Sequence, residues 1–398
     1  MRLISYLFTA LLITLGIHPA VAQEEFVSPP SRYLATVPFT QLTGGIVLIQ
    51  ARLNNSSDTL SFVLDTGSSG ISLDSTTVAR LGLNAVPTER TILGIAGIRK
   101  VSFVYNQSLR FPGITVDSLN FHVNDYSILT AVYGEKIDGI IGFSMISRYI
   151  LKLDYDSLKL SFFTKGSMRY PRGGYLMRPA VNQLVTQWLK VRDEGTVYGN
   201  FLYDMGAGVN MIFPREFVDD SVFLDKRRKR FMKEGEGLGG KLDMELTTIK
   251  EVKLGPYRFR TVPVFIFDDI NNVTRYPYRC GLIGNDILRR FNVTLNYDKS
   301  EIFLQPNTHF AEPFDYSYSG IELYLIDGMI LVGDVAKGSP AEAAGVLEDD
   351  EVIAVNHNFS LNLNAYKIAL QVPNERIKII VRRDGKLIEI EFKVKSIR

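Results

Sequence analysis

The sequence predicts an all-β protein made of one duplicated unit, followed by an unrelated C-terminal module. Three observations carry this reading. Short apolar runs of strand length recur between clusters of Gly, Pro, Asn and Asp, with few stretches of helical periodicity. Blocks of similar sequence recur in the same order at an offset of 139 to 143 residues. After Pro313 the repeat stops and a different pattern begins. The chain of 398 residues, 46% apolar and 22% charged, is long enough for two or three domains with cores of their own.

In chain order, residues 1–22 read as a signal peptide. Arg2 precedes an uncharged apolar run at 3–17, and Ala20-Val21-Ala22 offers a small-x-small cleavage site before Gln23. The 15-residue run is short against the roughly 20 residues of a membrane span, so a retained anchor is the alternative. No later stretch is apolar enough to span a bilayer. Export to a bacterial periplasm or cell envelope is the expectation. Cys280 is the single cysteine, which excludes an internal disulfide and any zinc site built on several thiolates. Lys+Arg 45 against Asp+Glu 43 gives a net charge of +2, without the basic excess that nucleic-acid binding needs. The four histidines show no paired spacing, so neither a metal nor a cofactor is expected.

The repeat organises the middle of the chain. Residues 62–73, FVLDTGSSGISL, match 201–212, FLYDMGAGVNMI, and GIIG at 139–142 matches GLIG at 281–284. Between them, Gly94-Ile95-Ala96-Gly97 matches Gly237-Leu238-Gly239-Gly240. The two copies occupy about 33–165 and 166–308. Each reads as strands, among them 45–53, 61–64, 121–123 and 158–163 in the first copy, and 263–267 and 301–304 in the second. A helix is expected at 214–233, where the basic run DKRRKR (225–230) is either a solvated helix face or a site for an acidic partner.

In each copy an apolar strand runs directly into an Asp, and a glycine follows two residues later. The strand delivers a carboxylate into an interior, and the glycine lets other groups approach it closely. One such turn is common. Two, at equivalent points of a duplication, predict that Asp65 and Asp204 meet on a pseudo-twofold axis.

On these residues the sequence resembles the two-lobed aspartic peptidases of the pepsin and retropepsin kind, over about 33–308. Asp65-Thr66-Gly67-Ser68 then goes with Ile140-Ile141-Gly142, and Asp204-Met205-Gly206-Ala207 with Leu282-Ile283-Gly284. The two glycine-rich tetrads, 94–97 and 237–240, fall where flap hairpins are expected. The resemblance implies a double-lobed β-barrel fold, a peptide or protein substrate, a monomer, and water activated between two aspartates that share one proton. Ser68 has a hydroxyl to offer the Asp65 carboxylate and Ala207 has none, so Asp204 is expected to carry the proton. Met205 departs from the pattern, because the family has a Thr or Ser there that bonds across the lobes. That departure keeps open a second reading, a catalytically degenerate scaffold that only binds peptides.

Residues 338–356, GSPAEAAGVLEDDEVIAVN, put Pro340 at a helix start, Gly345 at its end and a strand after it. This resembles the PDZ domain of bacterial envelope proteases, a small β-barrel with two helices, over 314–398. The resemblance implies a groove helix at 362–372, a hairpin at 377–394, and a peptide-binding loop at Ser319-Gly320-Ile321 that takes a chain end. A module that only packs against the lobes is the alternative.

Overall fold

The computed structural model describes residues 28–94, 97–237 and 240–398. The expected signal peptide and four tetrad residues, Ile95, Ala96, Leu238 and Gly239, lie outside the described residues. No helix among the described residues is long and apolar enough to cross a membrane.

Most of the chain is β. In the first repeat, β1 (Val47–Leu53), β2 (Thr59–Leu64), β3 (Ile71–Asp74), β4 (Gly97–Phe111), β5 (Ile114–Asn124) and β6 (Gly139–Ile141) close a six-stranded barrel in the order β1-β2-β6-β3-β5-β4. Pairing of Leu53 with Leu109 completes the ring. The second repeat supplies β7 (Leu184–Arg192), β8 (Thr196–Tyr203), β9 (Met211–Pro214), β10 (Gly240–Leu254), β11 (Tyr257–Phe267) and β12 (Leu282–Ile283). Their order is β7-β8-β12-β9-β11-β10, closed by Val191 on Val252. The two orders are the same once six is added to each number, so the sequence repeat is a repeat of topology. Alternation does the folding work. In β1, Val47, Ile49, Ala51 and Leu53 point into the barrel and are buried, while Gln50 and Arg52 face out.

A shared antiparallel sheet joins the lobes. Strand Ile150–Asp154 of the first lobe pairs with Phe291–Asn296 of the second, Leu153 opposite Val293 and Leu151 opposite Leu295. These four side chains are fully buried, so the lobes share one core.

The expected helix at 214–233 is much shorter. It covers Arg215–Ser221, and Val222 ends it in the left-handed conformation at φ 48°. The basic run is a loop, held because buried Asp193 accepts from the Arg228 guanidinium at 2.5 Å and the Asp225 N–H at 2.9 Å. Arg230 pairs with Glu245 at 2.8 Å. Burying Asp193 requires a cation beside it, and Arg228 supplies it. Residues Phe231–Gly237 then form a strand against β10.

The C-terminal residues form a separate core around a five-stranded sheet. Its first strand, Ile321–Ile326, lies at one edge beside Met329–Val335. Helix Pro340–Ala344 is capped by the Ser339 hydroxyl, which accepts from Glu342 N–H at 3.1 Å, and ends at Gly345 with φ 92°. A second helix, Leu363–Ala369, has Asn362 as its cap. The hairpin Arg376–Arg383 and Lys386–Lys393 turns at Asp384-Gly385, both at positive φ.

Candidate active site

Each lobe builds its half of the site in the same way. Strand β2 pairs in parallel with β6, Leu64 beside Ile141, and the Asp65 N–H donates to Ile141 O at 2.9 Å. In the second lobe Tyr203 lies beside Ile283, and the Asp204 N–H donates to Ile283 O at 3.0 Å. The glycine after each short strand lets the chain pass behind the turn. A Cβ on Gly142 would strike the carbonyls of Ser68 and Gly70, and one on Gly284 would strike that of Val209. Phe143 N–H and Asn285 N–H donate to Ser68 O and Ala207 O at 2.9 and 2.7 Å. The aspartates therefore stand on a backbone lattice and not on free loops.

The turns face one another. A Cβ placed on Gly67 would collide with the Asp204 carboxylate, and one on Gly206 with that of Asp65. Within each turn the glycine N–H donates to its own aspartate, Gly67 to Asp65 at 2.7 Å and Gly206 to Asp204 at 2.8 Å. The two carboxyls also hydrogen-bond to each other. They are half-buried, and both line one cleft.

Burial pushes the carboxyl of Asp65 above the usual range, moderated by the Gly67 N–H, the bond from Asp204 and the Ser68 N–H. Burial pushes Asp204 well above it, and the charge of Asp65 adds to the effect. The Ser68 contact on Asp65 comes from its backbone N–H, and Ala207 offers the same group to Asp204. Any difference between the carboxyls thus arises from their mutual interaction. Two carboxyls in such contact favour holding one proton between them and titrate as a pair.

A cross-lobe tether lies beneath the pair. Buried Thr66 donates its hydroxyl to Tyr203 O at 2.7 Å and accepts from the Met205 N–H at 2.9 Å. Met205 is fully buried, and its thioether has no hydroxyl with which to return the bond.

The cleft above has a volume of about 1380 Å³ and is walled by both lobes. Strand Val86–Gly94 and strand Phe231–Gly237, the arms leading to the two glycine tetrads, contribute Gly94 and Gly237 to its lining. Gly97 and Gly240 open the return strands. The sequence did not single out several further groups. Tyr126 lines the cleft and bonds Ser72 through its hydroxyl at 2.6 Å; burial raises it to about 12. His122 packs beside Gly70, and burial lowers it to about 4, so it is neutral near pH 7. Tyr297 is buried within electrostatic reach of both aspartates, which with burial push its phenol upward. Only Tyr297 had a sequence signal, as the counterpart of Tyr155 in the repeat.

The C-terminal module reaches the same cleft. Ser319, Gly320 and Ile321 line it, together with the helix residue Ile368 and, just past the helix, Leu370 and Gln371. The module is fastened to the second glycine-rich hairpin. Lys233 pairs with Glu322 at 2.8 Å, Tyr324 donates to Glu234 at 3.0 Å, and Tyr318 donates to Met232 O at 2.8 Å. Lys241 lies over the Tyr324 ring and donates to Gly333 O at 3.0 Å.

Comparison with known proteins agrees with this geometry. Two segments of the chain match the aspartyl protease family. They are residues 49–145 and 189–287, one in each barrel, and each contains one of the facing turns. Curated relatives match shorter stretches. The chain is 42% identical over 69 residues to a "Probable periplasmic serine endoprotease DegP-like" of Chlamydia muridarum, covering 17% of this chain and 14% of that protein. The Chlamydia trachomatis protein of the same name gives the same figures. "Carboxy-terminal processing protease CtpB" of Bacillus subtilis is 28% identical over 109 residues, 26% of this chain and 22% of its own. The chain thus spans about a seventh of the length of the DegP-like relatives it matches.

Proposed function

We propose that the protein is an exported aspartic endopeptidase whose C-terminal module is a PDZ domain that binds chain ends. The observation that carries this reading is the meeting of Asp65 and Asp204, each packed against the glycine of the opposite turn. An acid pair held this way costs stability, and such pairs are concentrated at sites of chemistry. The double family match supports the same reading.

In the proposed mechanism, ionised Asp65 takes a proton from water while protonated Asp204 hydrogen-bonds the scissile carbonyl oxygen. The water oxygen bonds to the carbonyl carbon. As the C–N bond breaks, a proton returns to the leaving nitrogen, and the products are a new carboxyl and a new amine. Thr66, Gly67 and Ser68, with Met205, Gly206 and Ala207, hold the carboxyls in register. The tetrads 94–97 and 237–240 serve as flaps over the substrate. Export rests on residues 1–22 and on the word "periplasmic" in the names of the relatives. Both catalytic halves lie in one chain, which supports a monomer.

The test is cleavage of a peptide library by wild type and by Asp65→Asn and Asp204→Asn. Loss in both variants supports the dyad, and full activity in either sinks it. Met205 favours the second reading, a peptide-binding scaffold without catalysis. A statine-type inhibitor separates the two, since tight binding that needs both aspartates is expected only of the enzyme.

A further inference from the structure

We propose that Arg275 and Arg279, on the loop 268–281 of the second lobe, form an anion-binding subsite of the cleft that selects substrates carrying an Asp or Glu near the scissile bond. This rests on the aspartic-peptidase reading above and adds a substrate class to it.

Three observations carry the subsite. The first is positive charge without a counter-ion. Five Lys and Arg side chains line the cleft: Lys233, Arg275, Arg279, Arg289 and Lys367. Lys233 pairs with Glu322, Arg289 pairs with Asp286 and Glu312, and Lys367 donates to Val132 O at 2.7 Å. Among the described residues, Arg275 and Arg279 have no salt bridge. The Arg279 guanidinium gives one long bond, to Val273 O at 3.4 Å, which leaves most of its five donors for a guest. The carboxylate of their own loop, Asp269, accepts instead from Val273 N–H and Thr274 N–H at 2.7 and 2.8 Å. The cleft carboxyls outside the dyad have other cations beside them: Lys241 for Glu234 and Asp334, Lys233 for Glu322 and Asp315, Arg289 for Asp286.

The second observation is that the two arginines act on each other. Arg279 is half-buried, and burial holds its guanidinium below the usual range; the Arg275 charge adds to this and Asp269 partly offsets it. Like charges gathered where water is thinned out are unfavourable, and an anionic guest relieves them. The guanidinium fork also fits a carboxylate with two parallel hydrogen bonds. The third is that the other lobe lacks the pair. At the 142-residue offset of the repeat, Ile137 and Tyr133 stand in place of Arg279 and Arg275. Ile137 is fully buried in an apolar cluster with Tyr126 and Ile140, and Tyr133 packs against it. The shared barrel topology therefore does not require arginines at these positions.

The backbone fixes where the selected residue sits. Cys280 N–H donates to Asn200 O at 2.8 Å and Leu202 N–H to Gly281 O at 2.9 Å, so Arg279 is held beside β8. Asn200 precedes Asp204 by four residues, about 13 Å of strand at roughly 3.3 Å per residue. An extended substrate covers that span in about four residues, so the acidic position lies within about four residues of the cut. Leu202 and Leu282, paired across β8 and β12, line the cleft along the way, apolar walls for the methylenes of the guest.

The test uses the full-length protein and a peptide library blocked at both ends, so that side-chain carboxylates are the anions on offer. Asp and Glu are expected to be enriched at one position within about four residues of the cut. Gln in place of Glu there is expected to lower kcat/KM about tenfold or more, mainly through KM, with the gap narrowing in about 0.5 M salt. Arg279→Glu is expected to turn the preference to Lys or Arg at the same position, and Arg275→Glu, made at an exposed residue, to weaken the preference for acid. Cleavage with no acidic preference in that span, or a preference unchanged in both variants, overturns the proposal. A second arm does not depend on turnover. Blocked Glu peptides are expected to bind Asp65→Asn protein about tenfold or more tighter than their Gln counterparts, by fluorescence anisotropy, and the added Arg279→Glu change to erase the difference. Equal binding of Glu and Gln peptides also overturns it. Selective binding without any cleavage by wild type would leave the subsite standing and refute the peptidase reading alone.

Discussion

Replacing Thr66 with Val keeps the shape of a fully packed side chain and deletes only the hydroxyl that joins the lobes. Two bonds disappear, to Tyr203 O and from Met205 N–H. Solvent does not reach either group, because Tyr203 and Met205 are both 0% exposed. An orphaned buried N–H costs about 1–3 kcal/mol, and the carbonyl, which keeps a second lone pair, less. The sum is about 2–4 kcal/mol. Thr66→Ser is the control: it keeps the hydroxyl and loses one methyl, worth about 1 kcal/mol. Urea unfolding at pH 6 is expected to place Val well below Ser, with Ser close to wild type. Peptide cleavage adds a second readout: kcat falls in Val and returns in Ser, because the tether sets the distance between the aspartates. If Val and Ser unfold within 0.5 kcal/mol of each other, roughly half a typical net hydrogen bond, the tether argument fails.

The remaining predictions concern the carboxyls and their glycines. Gly206→Ala drives a methyl into Asp65, so cleavage is expected to drop at least a hundredfold while the far-UV spectrum stays β; activity near wild type would mean that the turns are not in contact. The folded-state pKa of Asp204 is raised, so its stabilising contribution is complete below the unfolded value and is lost as pH rises through the folded one. Asp204→Asn should therefore be more stable than wild type at pH 8 and lose that advantage towards pH 4; parallel urea midpoints across that range would contradict it. Asp334, raised to about 6 by burial and then by Glu234 and Glu348, follows the same sign, its contribution lost as pH rises through about 6. Two units correspond to about 2.7 kcal/mol. Solvent screening of this largely open group cuts that to on the order of 1 kcal/mol. Asp334→Asn is expected to raise the thermal midpoint at pH 7.5 and leave it unchanged at pH 3.5, and an unchanged midpoint at both would count against the acidic cluster.

The barrels and the facing aspartates were legible because both depend on local pattern. Alternation in β1 and the direct run of β2 into Asp65 are visible in any ten-residue window, and duplication supplied the long-range pairing. The helix expected at 214–233 failed for a tertiary reason. Arg228 is drawn to Asp193, 35 residues away, and nothing in the basic run announces that partner. The walls of the cleft were hidden in the same way. Tyr126 and His122 gain their place from β5 packing beside β3, and Ile368 from a module whose position on the lobes no sequence pattern encodes. Met205 was read as a missing hydroxyl. In the fold it is a core residue whose backbone N–H donates to the Thr66 hydroxyl.

That arrangement bears on how a symmetric backbone supports unequal chemistry. The two turns match bond for bond: strand to Ile141 or Ile283, glycine N–H to its own aspartate, the residue after the glycine-bearing strand to Ser68 or Ala207. A perfectly symmetric pair would have no preferred proton holder. The lobes differ around the turns. The first lobe supplies the hydroxyl of the tether, which donates to Tyr203 O and accepts from the Met205 N–H, and the hairpin of the second lobe is pinned to the C-terminal module through Lys233, Glu234 and Met232. Asp204, the residue beside Met205, lies on that second side and is the carboxyl pushed further upward. The anchored hairpin arm and Asp204 belong to the same lobe. Releasing the anchor with Glu322→Lys, which sets two cations against each other at Lys233, is expected to raise KM more than it lowers kcat. Equal losses in both would place the anchor in the chemical step and not in binding.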